Sequence, residues 1–209
     1  MSKNTNEVHS DFEDKHNTFN EIFVKGQTHK DVLGKREIWD ELEKEHKGKL
    51  EILTTKSFDG ATLKLEIPYK NYLVVLIETD TMPLKAEVQL TLRKEFEFNI
   101  SLQDWTDQIA FLLRKKDIIT GENEFDKKYR IKSNAEKNVL QLLDRKVTNL
   151  VLENEIYTLN LNNEKKTNIS KLLIVKDRNT KEKSKLNDLI VLSFTLIDNL
   201  ITQGLLTIS

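Results

Sequence analysis

The sequence predicts an α+β fold: an antiparallel meander sheet packed against several helices and preceded by a polar N-terminal arm. Three observations predict it. Short segments alternate apolar and polar residues with the period of two that a half-buried strand requires. The connections between them are shorter than the dozen or so residues that parallel crossovers need. Separate, longer segments repeat apolar residues at helical spacing.

Along the chain, residues 1–34 read as a polar arm, broken at Gly26 and Gly34, whose patch of Phe19, Ile22 and Phe23 docks a short helix. Residues 35–209 read as a single domain. It opens on a helix, KREIWDELEKEH, packed through Trp39 with Ile38 and Leu42 and ended by Gly48. Strands follow at LEILTT, ATLKLEIPYK, NYLVVLIET, KAEVQLTLRKEF and FNIS, separated by turns at Asp59-Gly60, Lys70-Asn71 and 80–83. Leu63, Leu65 and Ile67 alternate with Thr62, Lys64 and Glu66, and Val88, Leu90 and Leu92 with Glu87, Gln89 and Thr91. LVVLI is apolar at both parities, the mark of a central strand.

SLQDWTDQIAFLLRKKD then places Trp105, Ile109, Leu112 and Leu113 on one helix face, with a cap pattern at Ser101 and Asp104. In FDKKYRIKS, Phe125, Tyr129 and Ile131 share one strand parity and Lys128, Arg130 and Lys132 the other. Ser133 and Glu136 form a capping box for a helix carrying Val139, Leu140, Leu143, Val147 and Leu150. Tyr157, Leu159 and Leu161 make a further strand, Asn162-Asn163 a turn, and KLLIVK its partner; DRNTKEKSK is a charged loop. The last helix, 186–206, is apolar on most sides, so either its own chain or another copy covers it.

Composition narrows the function classes. The chain has 209 residues, 38% hydrophobic and 32% charged, and no cysteine, which excludes disulfides, thiolate metal sites and cysteine nucleophiles. The N-terminus has no signal-like apolar core, and the helix at 186–206 carries Asp188, Asp198 and three amides, too polar to span a membrane. A soluble cytoplasmic protein is the expectation. The net charge of −1 hides an asymmetry: 126–185 holds 15 basic against 8 acidic residues, and the rest of the chain 18 against 26. Such a basic half can steer an anionic partner.

Four sets of residues are candidates for chemistry. His9, Glu13 and His16 fall at helical spacing that zinc can use, but the polar segment offers no second shell, so exposed histidines, including His29 and His46, are the reading. Asp126 and Lys128, with Asp80 or Asp59, match the acid-X-lysine pattern of metal-dependent nucleases. Lys128, Arg130 and Lys132 beside Tyr129 can track a phosphate backbone, unless Glu87, Glu95 or Glu97 neutralise them. No phosphate-binding glycine loop or nucleophile elbow is present, and no cofactor or metal site is expected.

Trp39 in a short helix before Gly48, the sheet, and GENEFDKKYRIKSNAEKNVLQLLD together resemble an uncharacterised bacterial α+β domain family. In that family a Gly and acidic turn precedes Phe-Asp, two variable residues, an aromatic, an alternating strand, a Ser/Asn-type cap and a helix ending in Leu-Leu. Gly121, Phe125, Asp126, Tyr129, Ile131, Ser133, Leu142 and Leu143 match. The resemblance runs from about Lys35 to the end and implies an α+β fold with no assigned activity. Some members carry adjacent membrane-spanning segments; no stretch here reads as one. The sequence therefore reads as a soluble, non-catalytic binding or assembly module working through protein–protein interaction, including self-association through the C-terminal helix. Two alternatives stand beside it: an anion or nucleic-acid binder using Lys128, Arg130 and Lys132 within 126–185, and a metal-dependent hydrolase using Asp126 and Lys128.

Overall fold

The computed structural model describes residues 32–55, 60–80, 82–103, 117–164, 169–176 and 182–206. Within them, a 3-10 turn at Val32–Lys35 leads into α1 (Arg36–His46). Four strands follow, β1 (Lys49–Thr55), β2 (Gly60–Tyr69), β3 (Tyr72–Thr79) and β4 (Leu84–Leu90), each antiparallel to its predecessor. After β5 (Phe98–Leu102) come α2 (Asn123–Lys128), β6 (Tyr129–Ser133), α3 (Glu136–Leu142) and α4 (Arg145–Glu153). The hairpin β7 (Thr158–Glu164) and β8 (Ile169–Lys176) and the long α5 (Lys183–Thr202) complete the described chain.

All eight strands join one sheet in the order β1-β2-β3-β4-β8-β7-β5-β6, and every pairing is antiparallel. The α+β class is therefore as the sequence predicts, but the meander stops at β4. The expected long strand to Phe96 ends at Leu90; Leu92 instead bridges Leu206, and β5 joins β6 and β7. The turn expected at Asn162-Asn163 is strand, paired with Lys171 and Ser170.

Alternation decides which face of the sheet is buried. Leu63, Leu65, Ile67, Val74, Leu76, Ala86, Val88, Ile100, Ile131, Leu159, Leu161, Leu172 and Ile174 all point to one side, and each is at most 1% exposed. The helices pack there, contributing Trp39 and Leu42 from α1, Val139 and Leu142 from α3, Val147 and Val151 from α4, and Leu189, Leu196 and Leu200 from α5. At about 25 cal/mol per Å², this single continuous core is the main stabilising term. One ion pair is sunk into it: Lys35 meets Glu78, both at least nine-tenths buried.

Helix α5 is packed along most of its length against the rest of the chain. Every residue in 185–201 is buried or half-buried by the chain itself. Tyr69 stacks on Phe194 with ring centroids 3.8 Å apart and donates to Asp198 at 2.8 Å, and His46 contacts the Asn187 side-chain oxygen at 2.8 Å. Much of the helix's apolar surface therefore packs within the chain, with Val191, Phe194 and Ile201 half-buried.

Three local expectations are also corrected. FDKK is a helix, not the start of a strand: Phe125 and Tyr129 lie four residues apart and stack at 4.9 Å, a contact that a strand would put out of reach. The single helix expected across 139–150 is two, because Asp144 caps a new one by accepting from the Val147 N–H at 2.8 Å. Ser133 is no helix cap; its hydroxyl donates to the Glu97 carbonyl at 2.7 Å and accepts from the Ala135 N–H at 3.0 Å, tying β6 to the segment before β5. Ser101, read as a cap, lies inside β5 opposite Arg130. The patch at Phe19, Ile22 and Phe23, the turn residue Asp59, the helix carrying Trp105, Ile109, Leu112 and Leu113, and most of the charged loop fall outside the described residues.

Candidate interaction surface

The residues proposed for metal or acid–base chemistry are employed in the fold. Asp126 accepts from the Thr120 N–H (2.9 Å), the Thr120 hydroxyl (2.8 Å) and the Gly121 N–H (2.9 Å), so both carboxylate oxygens hold the turn before α2. Asp80 accepts from the Ala61 N–H at 2.6 Å, closing the far end of the β2–β3 hairpin. Lys128 ends α2 rather than sharing a strand with Asp126. Among the described residues no three His, Asp or Glu side chains are grouped to hold a metal. His9, Glu13, His16 and His29 lie outside them.

Several of the basic residues are similarly engaged, by acids drawn largely from outside their own segment. Arg130 pairs with Asp117 at 3.0 Å, and Lys128 approaches Glu155 at 3.9 Å. Lys171 pairs with Glu87 at 2.8 Å, and Lys183 with Glu41 and Glu45 at 3.0 Å each. Lys176, only 6% exposed, donates to the Asn154 carbonyl at 2.5 Å, and Lys185 to the Glu153 carbonyl at 3.1 Å. Both thus cap the C-terminal, electronegative end of α4. The expected row of Lys128, Arg130 and Lys132 along one strand is therefore corrected: the first is helical, the second half-buried in an ion pair, and Lys132 is exposed opposite Asn99. Relief of the charge on Arg130 and Lys128 comes from Asp117 and Glu155. Glu87 instead serves Lys85 and Lys171, and Glu97 accepts from the Asn163 N–H.

What remains is the second face of the sheet. Register places Glu66, Val75, Glu87, Leu173, Asn160, Asn99 and Lys132 side by side in one row across β2 to β6. The adjacent row reads Lys64, Ile77, Lys85, Val175, Thr158, Ser101 and Arg130. Val75, Ile77 and Leu173 are half-buried and, with the more buried Val175, stand apart from the core. Charges at this face are neutralised in the plane: Lys64 bridges Glu66 at 2.6 Å and Glu51 at 3.5 Å, and Lys85 meets Glu87 at 2.8 Å. Burial pushes the Glu87 carboxyl up, but its hydrogen bonds to Lys171 and Lys85 outweigh that and hold it below the ordinary glutamate value. The result is an apolar centre with ion-paired and amide flanks.

This surface was missed in the sequence, although a signal existed. LVVLI and KLLIVK are apolar at both parities; in the sequence the first reads as a central strand and the second only as the partner of the strand before it. Both are central, but the second parity faces away from the described helices.

No family model and no curated protein matches the chain. Its fold is similar to that in the crystal structure of the mycobacterial trehalose monomycolate transport factor A, TtfA, with a TM-score of 0.50 and 9% identity over 80% of this chain and 94% of that one. At that identity the likeness concerns the fold. Among the described residues no helix is long and apolar enough to cross a membrane.

Proposed function

We propose that the chain is a non-catalytic binding or assembly module whose second sheet face receives a protein partner. The observation that carries this reading is the pairing of Val75, Ile77 and Leu173 at the centre of that face with internally neutralised charge around them. An apolar core inside a polar rim is the anatomy of protein interfaces. A phosphate backbone is bound instead by cations with charge to offer. Here Arg130 and Lys128 already face Asp117 and Glu155, which weighs against the nucleic-acid alternative. The engagement of Asp126 with Thr120 and Gly121 likewise weighs against the hydrolase alternative. The resemblance of 121–143 to a bacterial domain family without assigned activity accords with the proposal.

Affinity capture from nuclease-treated native lysate tests it, using the wild type, Leu173→Asp, and the triple variant Lys128→Gln, Arg130→Gln, Lys132→Gln. A nuclease-resistant partner lost with Leu173→Asp and kept with the triple variant supports the reading, given an unchanged circular dichroism spectrum. Capture that vanishes with nuclease, or only with the triple variant, replaces it with the anionic alternative.

A further inference from the structure

Among the described residues β1 is an edge of the sheet, and the backbone groups it leaves without a strand partner can be assigned. In the two-residue hairpin closed by Tyr69 and Tyr72, the odd-numbered residues of β2 bond to β3, so the even-numbered ones bond to β1. The register Lys49↔Glu66 to Thr55↔Gly60 then turns the odd residues of β1 inward and leaves Leu50, Ile52 and Thr54 with outward N–H and C=O groups. An independent observation agrees: the Leu50 N–H bonds to the Glu43 carboxylate of α1 at 2.8 Å, not to β2. Glu43 thereby closes one end of the edge. Ile52 and Thr54 remain, flanking Leu53, whose side chain is 53% exposed. The opposite edge is protected differently, since Ile118 donates to the Ile131 carbonyl of β6 at 3.2 Å.

The geometry points to a second copy of this chain as the occupant of that edge, paired antiparallel through β1 about a two-fold axis at Leu53. In that register Ile52 and Thr54 of each copy face Thr54 and Ile52 of the other, and all their outward groups are satisfied without the Leu50 N–H that Glu43 has taken. Leu53 meets its own copy as a non-hydrogen-bonded pair, with Cα atoms about 4.5 Å apart, and buries the apolar side chain that the monomer leaves out. Shifting the axis to Ile52 would oppose Thr54 to the blocked Leu50. Shifting it to Thr54 would set Leu53 against Thr55 and lose the apolar match. No like charges oppose one another in the chosen register: Glu51 lies across from Thr55. The C-terminal half of β1 also lacks the Lys or Pro with which exposed edges are usually blunted. Strand pairing of this length buries less than the about 1,000 Å² of a permanent interface, so the dimer is weak and concentration-dependent. Its backbone bonds lie at the β1 edge, and Leu53, though on the parity of the sheet face above, sits at the border of that face and two strands from Val75 and Ile77, so the pairing stands whether or not a partner docks there.

The absence of cysteine supplies the test. Full-length Leu53→Cys carries one thiol that lies at disulfide distance from its copy, whereas Glu51→Cys, offset by four residues, sits roughly 13 Å from its own. Under mild oxidation, Leu53→Cys gives a covalent dimer and Glu51→Cys does not. Sedimentation equilibrium shows a reversible wild-type dimer that Leu53→Lys weakens by about tenfold or more, through two like charges placed opposite each other. Cross-linking that is equal for the two variants, or association unchanged in Leu53→Lys, overturns the proposal. So does a monomer whose Leu53→Cys thiol resists alkylation, because a segment of the same chain then covers the edge.

Discussion

Gly48 shows how a residue can be correctly noticed for the wrong reason. A glycine after KEH reads as the left-handed residue that ends a helix. That conformation belongs to Lys47, with φ 51°, while the Gly48 N–H bonds the Glu43 carbonyl at 2.8 Å. Gly48 is needed for space: a Cβ there would stand 2.8 Å from the Glu66 carbonyl oxygen and 2.9 Å from a Leu65 methyl. Gly48→Ala is therefore expected to lower stability by about 1–3 kcal/mol in urea denaturation, as overpacking does. Lys47→Gly, which removes left-handed strain at an exposed site, raises it by about 1 kcal/mol. Ser133 gives a second reversal. A helix cap tolerates glycine much better than alanine. A hydroxyl that joins the Glu97 carbonyl to the Ala135 N–H is lost equally in both, so Ser133→Ala and Ser133→Gly should each cost about 1 kcal/mol or more. Neither role could be read locally, because Glu66 and Glu97 are brought up by pairings distant in sequence.

At the scale of elements, strands with one-sided alternation were legible, and so were α1 and α5. The signal is the burial periodicity itself, which holds wherever one face meets the core. It failed where short-range chemistry interrupts a period. The apolar spacing of 139–150 runs straight through Asp144, yet its carboxylate starts α4 and also accepts from the Asn199 amide at 3.1 Å. Asp144→Ala is expected to cost about 0.5–2 kcal/mol and to reduce helicity, measured by circular dichroism through a thermal transition. Similarly, Phe125 and Tyr129 satisfy both a strand parity and a helix period. The Asp126 side chain, which wraps Thr120 and Gly121, decides for the helix.

For the whole molecule, the charge asymmetry of the sequence is met in part within the fold: Glu41, Glu45, Glu87 and Asp117 are delivered to Lys183, Lys171 and Arg130. One consequence is measurable. Glu87 titrates below its ordinary value near 4.5 in the folded chain, so it contributes stability that is present above that value and lost as pH falls through the depressed one. The urea midpoint of the wild type should drop more between about pH 7 and about pH 3 than that of Glu87→Gln, which has no carboxyl to protonate. Sheet order was equally hidden. Turn signals locate neighbours along the meander, but nothing near β4 announces that its other partner is β8.

That seam between β4 and β8 has a consequence during synthesis. The first four strands leave the ribosome as a ready hairpin series, while the far side of Leu84–Leu90 has no mate until Ile169–Lys176 has been made. Closing so long a loop comes late in folding. Until then the nascent chain displays an open strand edge with one apolar face, the kind of template that recruits other unfinished chains. Only when β8 has joined β4 and α5, made after it, has settled across the two halves is that template withdrawn.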